Sequence, residues 1–181
     1  RKLPNDAEAL TIEARIGRHQ NRWDESLANL QKASELDPSN GDIALYLRET
    51  YFEMRRYSDV EQFLTKQASS GATDEVWLQI GRARAKLAQG DPAAAQSFLD
   101  QVPMDFSPWP FIWGIRFTAA LYLRDYEKAN RVIAATPAKL ADTAFGEQNS
   151  SWAEGQVARA RGDRAKALAA FAAARKNMEA K

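Results

Sequence analysis

The side chains that most often carry catalysis are scarce in this sequence. It contains one histidine, His19, and no cysteine, which excludes a two-histidine zinc motif, a thiolate nucleophile and a thiolate metal site. No glycine-rich phosphate loop of the G-x-x-x-x-G-K type is present. His19 lies near the predicted end of a helix, and no serine or aspartate is spaced around it as in a nucleophile pattern. The sequence therefore predicts no enzyme activity, no metal site and no cofactor.

Two pairs of adjacent carboxylates, Asp24-Glu25 and Asp74-Glu75, are the other candidates for acid–base chemistry. Both pairs lie where helices are predicted to begin, and the helix dipole stabilises negative charge at that end. We interpret them as residues of the first helical turn.

Composition and charge exclude several classes of partner. The 181 residues are 45% apolar and 27% charged, which is typical of a globular protein. Because 25 basic residues balance 24 acidic ones, no overall charge favours nucleic acid. No apolar run approaches the ~20 residues that span a bilayer, so no membrane insertion is expected. The compartment stays open, with the cytoplasm favoured, and the missing initial Met and signal pattern indicate an excised or processed piece of a larger protein.

The first clear structural element is an amphipathic helix that ends at a proline. Trp23, Leu27, Leu30 and Ala33 recur at steps of three and four residues, and Pro38 disfavours helix at the residue before it. One such helix cannot bury its apolar stripe alone, so it must pack against a neighbour.

Similar helices follow at a nearly constant interval. Equivalent small or short residues stand at Ser26, Val60, Ala95, Ala129 and Ala167, which gives intervals of 34, 35, 34 and 38 residues. A helix-turn-helix period near 34 residues is the signature of tetratricopeptide repeats. The expected fold is all-α, a right-handed α-solenoid of about five hairpins forming one superhelical domain over 1–181, with repeats at about 5–38, 39–72, 73–106, 107–142 and 143–178.

The individual units resemble the tetratricopeptide (TPR) family. Trp23, Tyr57 and Tyr126 match the aromatic residue that opens the second helix, and Trp77 with Ile80-Gly81 matches the W-x-x-L-G core of the first helix. Arg84 and Arg116 depart from the pattern, since the family has apolar residues there. The run from Ala14 to Leu27 is similar to the C-terminal TPR segment of bacterial multidomain signalling proteins, such as adenylate cyclases and winged-helix regulators.

The resemblance implies that the first helix of each pair lines a concave face that binds extended peptides or partner helices. Carried over unit by unit, the peptide-binding positions are Thr11, Arg15, Arg18, Leu45, Glu49, Phe52, Leu78, Arg82, Lys86, Thr118, Leu121, Trp152, Gln156 and Arg159. This mixture of basic and apolar side chains suits a partner protein or peptide that carries carboxylates. The alternative is that Leu45, Phe52 and Leu121 are buried and the arginines are only solvated.

One known mode of TPR recognition is not expected. The carboxylate clamp of chaperone-binding members needs lysine, asparagine and arginine at positions that here read Thr11, Arg15, Tyr46, Glu75 and Gln79. Binding of chaperone tails by that route is therefore not expected.

Two further surfaces are candidates for contact. Phe106, Trp109, Phe111 and Trp113 form an aromatic cluster, interpreted as a plug between hairpins, with an exposed anchor for a partner as the alternative. Residues 155–181 include seven basic and only two acidic side chains. This excess indicates a solvated helix surface or a contact for an acidic partner.

Two non-catalytic functions remain open. The first is a protein interaction scaffold, and the second is a regulatory or self-associating segment of a larger signalling protein. An enzyme is the third and weakest reading of the sequence.

Overall fold

The computed structural model describes residues 6–71, 73–106, 111–137 and 149–179, and these ranges contain ten α-helices and no strand. The helices are α1 (Ala7–His19), α2 (Trp23–Leu36), α3 (Gly41–Glu53), α4 (Tyr57–Ser70), α5 (Glu75–Ala88), α6 (Pro92–Leu99), α7 (Phe111–Tyr122), α8 (Tyr126–Ala135), α9 (Ser150–Ala160) and α10 (Arg164–Glu179). The fifth repeat was expected to begin at about residue 143, and residues 143–148 lie outside the described ranges.

Consecutive helices are joined in pairs by one recurring turn. In each of the five pairs, one residue adopts the left-handed conformation, with φ between 55° and 82°. The next residue donates its backbone N–H to the carbonyl five positions earlier, at 2.8 to 2.9 Å, which is the hydrogen bond of a Schellman motif. The left-handed residues are Asn21, Arg55, Gly90, Arg124 and Gly162.

These five turns confirm the helix-turn-helix period predicted from the sequence. Each left-handed residue stands five positions before a predicted helix-crossing residue, so both sets share the same intervals. Ser26, Val60, Ala95 and Ala129 are fully buried, and Ala167 is 5% exposed. Small residues are required there because a larger side chain would hold the two helices of the pair apart.

Short polar side chains cap the N-termini of α1 and α3. The Asp6 carboxylate accepts the backbone N–H groups of Glu8 and Ala9, and the Asn40 side chain accepts those of Asp42 and Ile43. These bonds satisfy donors that have no partner within the helix.

The contacts between Cα atoms divide the chain into two compact units, Arg1–Leu78 and Gln79–Lys181, which we call unit 1 and unit 2. The boundary falls within α5. In unit 1, Leu10 of α1 packs with Ala33 of α2 and Ile43 of α3. In unit 2, a cluster of Ala83, Ala95, Leu99 and Ala119 joins α5, α6 and α7. The predicted single superhelical domain stays a prediction.

Candidate functional site

In unit 1, the first helices of successive pairs lie side by side. The guanidinium carbon of Arg15 on α1 lies 5.1 Å from the centre of the Tyr46 ring on α3, within the range of a cation–π contact. Arg15 is exposed, and Leu45, next to Tyr46, is 40% exposed. Glu49, also on α3, is half-buried and forms an ion pair with Arg48 at 3.5 Å. This surface combines one exposed cation, one carboxylate and one apolar side chain.

In unit 2, α7 and α9 are joined in a comparable way. The rings of Phe117 on α7 and Trp152 on α9 are 6.3 Å apart between centroids and tilted by 55°. Phe117 is buried, whereas Trp152 is half-buried and keeps part of its indole exposed. Gln156 and Arg159 follow Trp152 at helical steps of four and three residues, so the three side chains share one face of α9.

The predicted peptide-binding residues differ in exposure. Arg15, Leu45 and Arg159 are exposed. Those that are half-buried are Arg18, Glu49, Arg82, Lys86, Thr118, Leu121, Trp152 and Gln156. Thr11, Phe52 and Leu78 are buried, and the Thr11 hydroxyl donates to the Ala7 carbonyl at 2.7 Å. These three side chains pack inside the structure as described, and the peptide-binding role assigned to the whole set stays a prediction.

The turns also indicate a different register for the first helix of the third pair. In the other four pairs, the last predicted contact residue stands three positions before the left-handed residue, as Arg18 stands before Asn21. The same spacing before Gly90 selects Leu87 instead of the predicted Lys86. In this register Arg84, which departs from the family pattern, occupies the position equivalent to Arg15, because each stands six residues before its left-handed residue.

A second polar cluster in unit 2 was not recognised as such in the sequence. Arg116 on α7 is 5% exposed and donates to the carbonyls of Val102, Pro103 and Met104 at 2.8 to 3.0 Å, while Nη1 also lies 3.1 Å from the Met104 sulfur. Burial lowers the pKa of Arg116 from its ordinary value, and the negative charge of Asp105 opposes that shift. The Arg116 guanidinium thus holds residues 102–104, which follow α6, against α7 through hydrogen bonds.

The aromatic cluster predicted around this segment is only partly described. Trp113 is 2% exposed, and its ring lies 5.6 Å from the guanidinium carbon of Arg116. Phe106 is half-buried, Phe111 is 40% exposed, and Trp109 lies outside the described residues. Burial of Trp113 agrees with the plug interpretation at that residue, whereas the anchor proposed at Trp109 stays untested.

The described ranges contain neither a metal-binding cluster nor a helix suited to span a membrane. Within them, no group of three or more histidine and carboxylate side chains is placed to hold a metal ion. None of their helices is long and apolar enough to cross a membrane. His19 is exposed at the end of α1.

Comparisons with known proteins agree on the fold. Residues 18–77 match the family model described as tetratricopeptide repeat. No curated protein sequence matches the chain significantly. The all-α helical-repeat fold and the resemblance to TPR proteins are therefore confirmed, while an origin in a multidomain signalling protein stays a prediction.

Three solved structures are similar over most of the chain. One is PilW, described as a widely conserved type IV pilus biogenesis factor, with a TM-score of 0.74, 14% identity and coverage of 99% of this chain and 81% of that one. The second is pilF of Pseudomonas aeruginosa, with a TM-score of 0.69, 18% identity and coverage of 93% and 74%. The third is YrrB, described as a TPR protein with an unusual peptide-binding site, with a TM-score of 0.52, 19% identity and coverage of 95% and 86%.

Proposed function

We propose that the chain is a non-catalytic protein interaction scaffold in which the first helices of the pairs within a unit bind an extended peptide or a partner helix. The observation that carries this proposal is the pairing of first helices in each unit, Arg15 with Tyr46 and Phe117 with Trp152. Each pairing places a partly exposed side chain at a junction between two helices. Junctions of this kind offer a groove to a ligand that runs across the helices.

The side chains at these junctions indicate the chemistry of the partner. Arg15 is exposed and offers a planar set of donors that fits a carboxylate. Trp152 and Leu121 offer apolar area, and Arg159 adds a second exposed cation. Because each unit offers an exposed cation and apolar area, the fitting partner of either unit is a peptide that carries both acidic and apolar residues. The YrrB description supports a peptide as the class of ligand for a fold of this type.

Selection from a displayed library of random peptides tests the proposal. The intact chain serves as bait, and a double variant, Arg15→Glu with Trp152→Ala, serves as the counter-bait once circular dichroism shows that it is folded. We expect the enriched peptides to contain Asp or Glu beside aliphatic or aromatic residues and to lose binding to the double variant. Equal binding to both baits would contradict the proposed surface and make the basic helix α10 the next candidate.

Self-association is a second candidate, favoured by an exposed apolar ridge on α1. Ile12 and Ile16 are 47% and 48% exposed. They precede Tyr46 and Thr50 by 34 residues, and Thr50, the residue equivalent to Ile16, is fully buried. In the second pair this position is thus covered, whereas in the first pair it is open. Sedimentation of the chain and of Ile16→Glu tests this alternative, since a dimer formed through α1 must dissociate in the variant.

A further inference from the structure

Unit 2 contains a pocket of about 460 Å³ that is lined by residues of α6, α7 and α8 and by the segment that follows α6. Its apolar lining includes Leu99, Pro103, Met104 and Val132. The volume lies within the ~300 to 1,000 Å³ typical of small-ligand sites. None of the peptide-binding positions predicted from the sequence lines this pocket.

A buried cation that no carboxylate contacts directly lies at the pocket wall. Arg116 lines the pocket, and within the described residues its guanidinium hydrogen-bonds no carboxylate, although the negative charge of Asp105 acts on it from a greater distance. The charge is stabilised instead by neutral carbonyl oxygens and by the Met104 sulfur. A buried charge is most stable when an opposite charge accompanies it. The pocket therefore favours a ligand that brings a carboxylate.

One hydrogen bond of Arg116 is readily exchanged for a stronger one. A thioether sulfur is a weak acceptor, and the Met104 side chain that offers it is 46% exposed. An incoming carboxylate can displace this side chain and form a charge-assisted bond with Nη1. The carbonyl bonds that hold the segment in place would be retained.

The other polar side chains that line the same pocket are those of Gln96, Asp100, Gln101 and Lys128, and Lys128 neutralises Asp100. The Lys128 ammonium bonds to Asp100 at 3.0 Å and keeps donors for a second acceptor. The Gln96 Oε1 atom is buried and has no hydrogen-bond partner within the described part of the chain. A ligand with an amide N–H near its carboxylate would satisfy Gln96 as well.

We propose that this pocket binds a carboxylate carried on an apolar group, with Arg116 and Lys128 as its cationic partners, Met104 as a displaceable cover and Gln96 as an acceptor. Two sources share this chemistry, namely the C-terminus of a partner protein that ends in an aliphatic residue, and a free short-chain fatty acid. The site is separate from the proposed peptide-binding surface of the first helices and does not depend on it.

Titration of the ¹⁵N-labelled chain followed by two-dimensional NMR tests the site. The probes are N-acetyl-Ala-Ala-Leu and hexanoate, and the controls are the neutral amides of both. We expect saturable shifts centred on the backbone N–H signals of residues 99–102, 104 and 128. The two carboxylate probes should bind at least tenfold more tightly than their neutral amide controls. Tighter binding of the peptide indicates a chain terminus, and tighter binding of hexanoate indicates a free acid. Equal shifts with carboxylate and amide, or no shifts at these residues, would overturn the proposal.

Two variants with surface-accessible changes complete the test without touching Arg116. Met104→Ala removes the cover and is expected to lower the Kd of N-acetyl-Ala-Ala-Leu about threefold. Lys128→Gln removes one cation and is expected to raise it about threefold. Arg131→Gln, an exposed change elsewhere on α8, should leave the Kd unchanged. If Met104→Ala and Lys128→Gln both behave as Arg131→Gln does, the shifts do not come from this pocket and the proposal fails.

Discussion

Gly155 of α9 lies directly against the ring of Phe171 of α10. A Cβ atom at residue 155 would stand 2.5 Å from Cε1 and 2.6 Å from Cδ1 of that ring, closer than non-bonded carbons approach. Phe171 is half-buried, so its ring has some room to turn outward. The absence of a side chain at residue 155 thus lets α9 and α10 approach, and it sets the spacing of the last hairpin.

We expect Gly155→Ala to lower the free energy of unfolding by about 1 to 3 kcal/mol, the usual cost of overpacking. Urea denaturation followed by circular dichroism measures the change. Gly41→Ala is the matched control, since nothing lies within 4 Å of the added Cβ and residue 41 begins a helix. A smaller loss from Gly155→Ala in a Phe171→Leu background would show that the ring is the cause, whereas an equal loss in both backgrounds would contradict it.

At the left-handed turn positions, replacing a larger residue by glycine and replacing glycine by a larger residue should change stability in opposite directions. Arg124 has φ of 57°, which strains an L-residue, so Arg124→Gly should stabilise the chain by about 0.5 kcal/mol after the added entropy of the unfolded state is counted. Gly162 has φ of 81° with no neighbour near its Cβ position, so Gly162→Ala should destabilise by about 1 kcal/mol through backbone strain alone.

Thermal unfolding of both variants under the same conditions checks this pair of predictions. Changes of the same sign would mean that the turn conformation does not control stability at these positions. Arg131→Gly is unsuitable as a control because residue 131 lies within α8. Arg131→Ala, in contrast, changes an exposed helical position and should have little effect.

The sequence predicted the helical pairs well because their signals are local. A turn residue, a small crossing residue and an apolar stripe all lie within about 15 residues of one another, and each repeats near every 34 residues. The sequence did not determine the register of α5, because Trp77 and Gly81 match the family core in one register while the turn at Gly90 corresponds to another. Two local signals disagreed there, and only the turn geometry separated them.

Arg116 shows what the sequence could not predict. In the sequence, Arg116 stands out only as a charged residue at a position where the family has an apolar one. Its partners are carbonyls 12 to 14 residues earlier, in a segment whose backbone has no repeat pattern. A buried guanidinium is stable only where such acceptors converge, and their convergence depends on how the link between α6 and α7 folds. The only sign of this cluster in the sequence is that an arginine occupies a position where the family has an apolar residue.

We expect Arg116→Met to destabilise the chain by about 1 to 3 kcal/mol, because three carbonyls lose their charged donor while the side-chain volume is nearly kept. Arg116→Lys should lower the stability less than Arg116→Met, because the ammonium keeps the charge. Some loss should remain, because the ammonium cannot reach all three carbonyl acceptors. Urea denaturation gives both values. Arg131→Met on the exposed face of α8 is the control and should change stability by less than about 0.5 kcal/mol. Wild-type stability of Arg116→Met would mean that the observed bonds contribute nothing.

The last prediction separates charge from apolar contact at the proposed peptide-binding surface. Arg15 is exposed, and exposed charges interact over a Debye length of about 10 Å at 0.1 M salt. For an acidic peptide that binds unit 1, Arg15→Glu should raise the Kd roughly tenfold at 0.05 M salt and roughly threefold at 0.5 M. For a peptide that binds unit 2, Trp152→Ala should raise the Kd roughly thirtyfold at both salt concentrations, because burying an aromatic ring against a ligand does not depend on ionic screening.

Fluorescence anisotropy of the labelled peptides measures all of these constants, with circular dichroism confirming that each variant is folded. Arg131→Glu carries the same charge change on a second helix, α8, and should have a smaller effect that vanishes at 0.5 M salt. This control separates a contact made by Arg15 from the general effect of adding negative charge to the protein. If Arg15→Glu and Arg131→Glu weaken binding equally at both salt concentrations, Arg15 does not touch the peptide. If Trp152→Ala also binds its peptide as the wild type does, the peptides do not occupy the first helices of either unit.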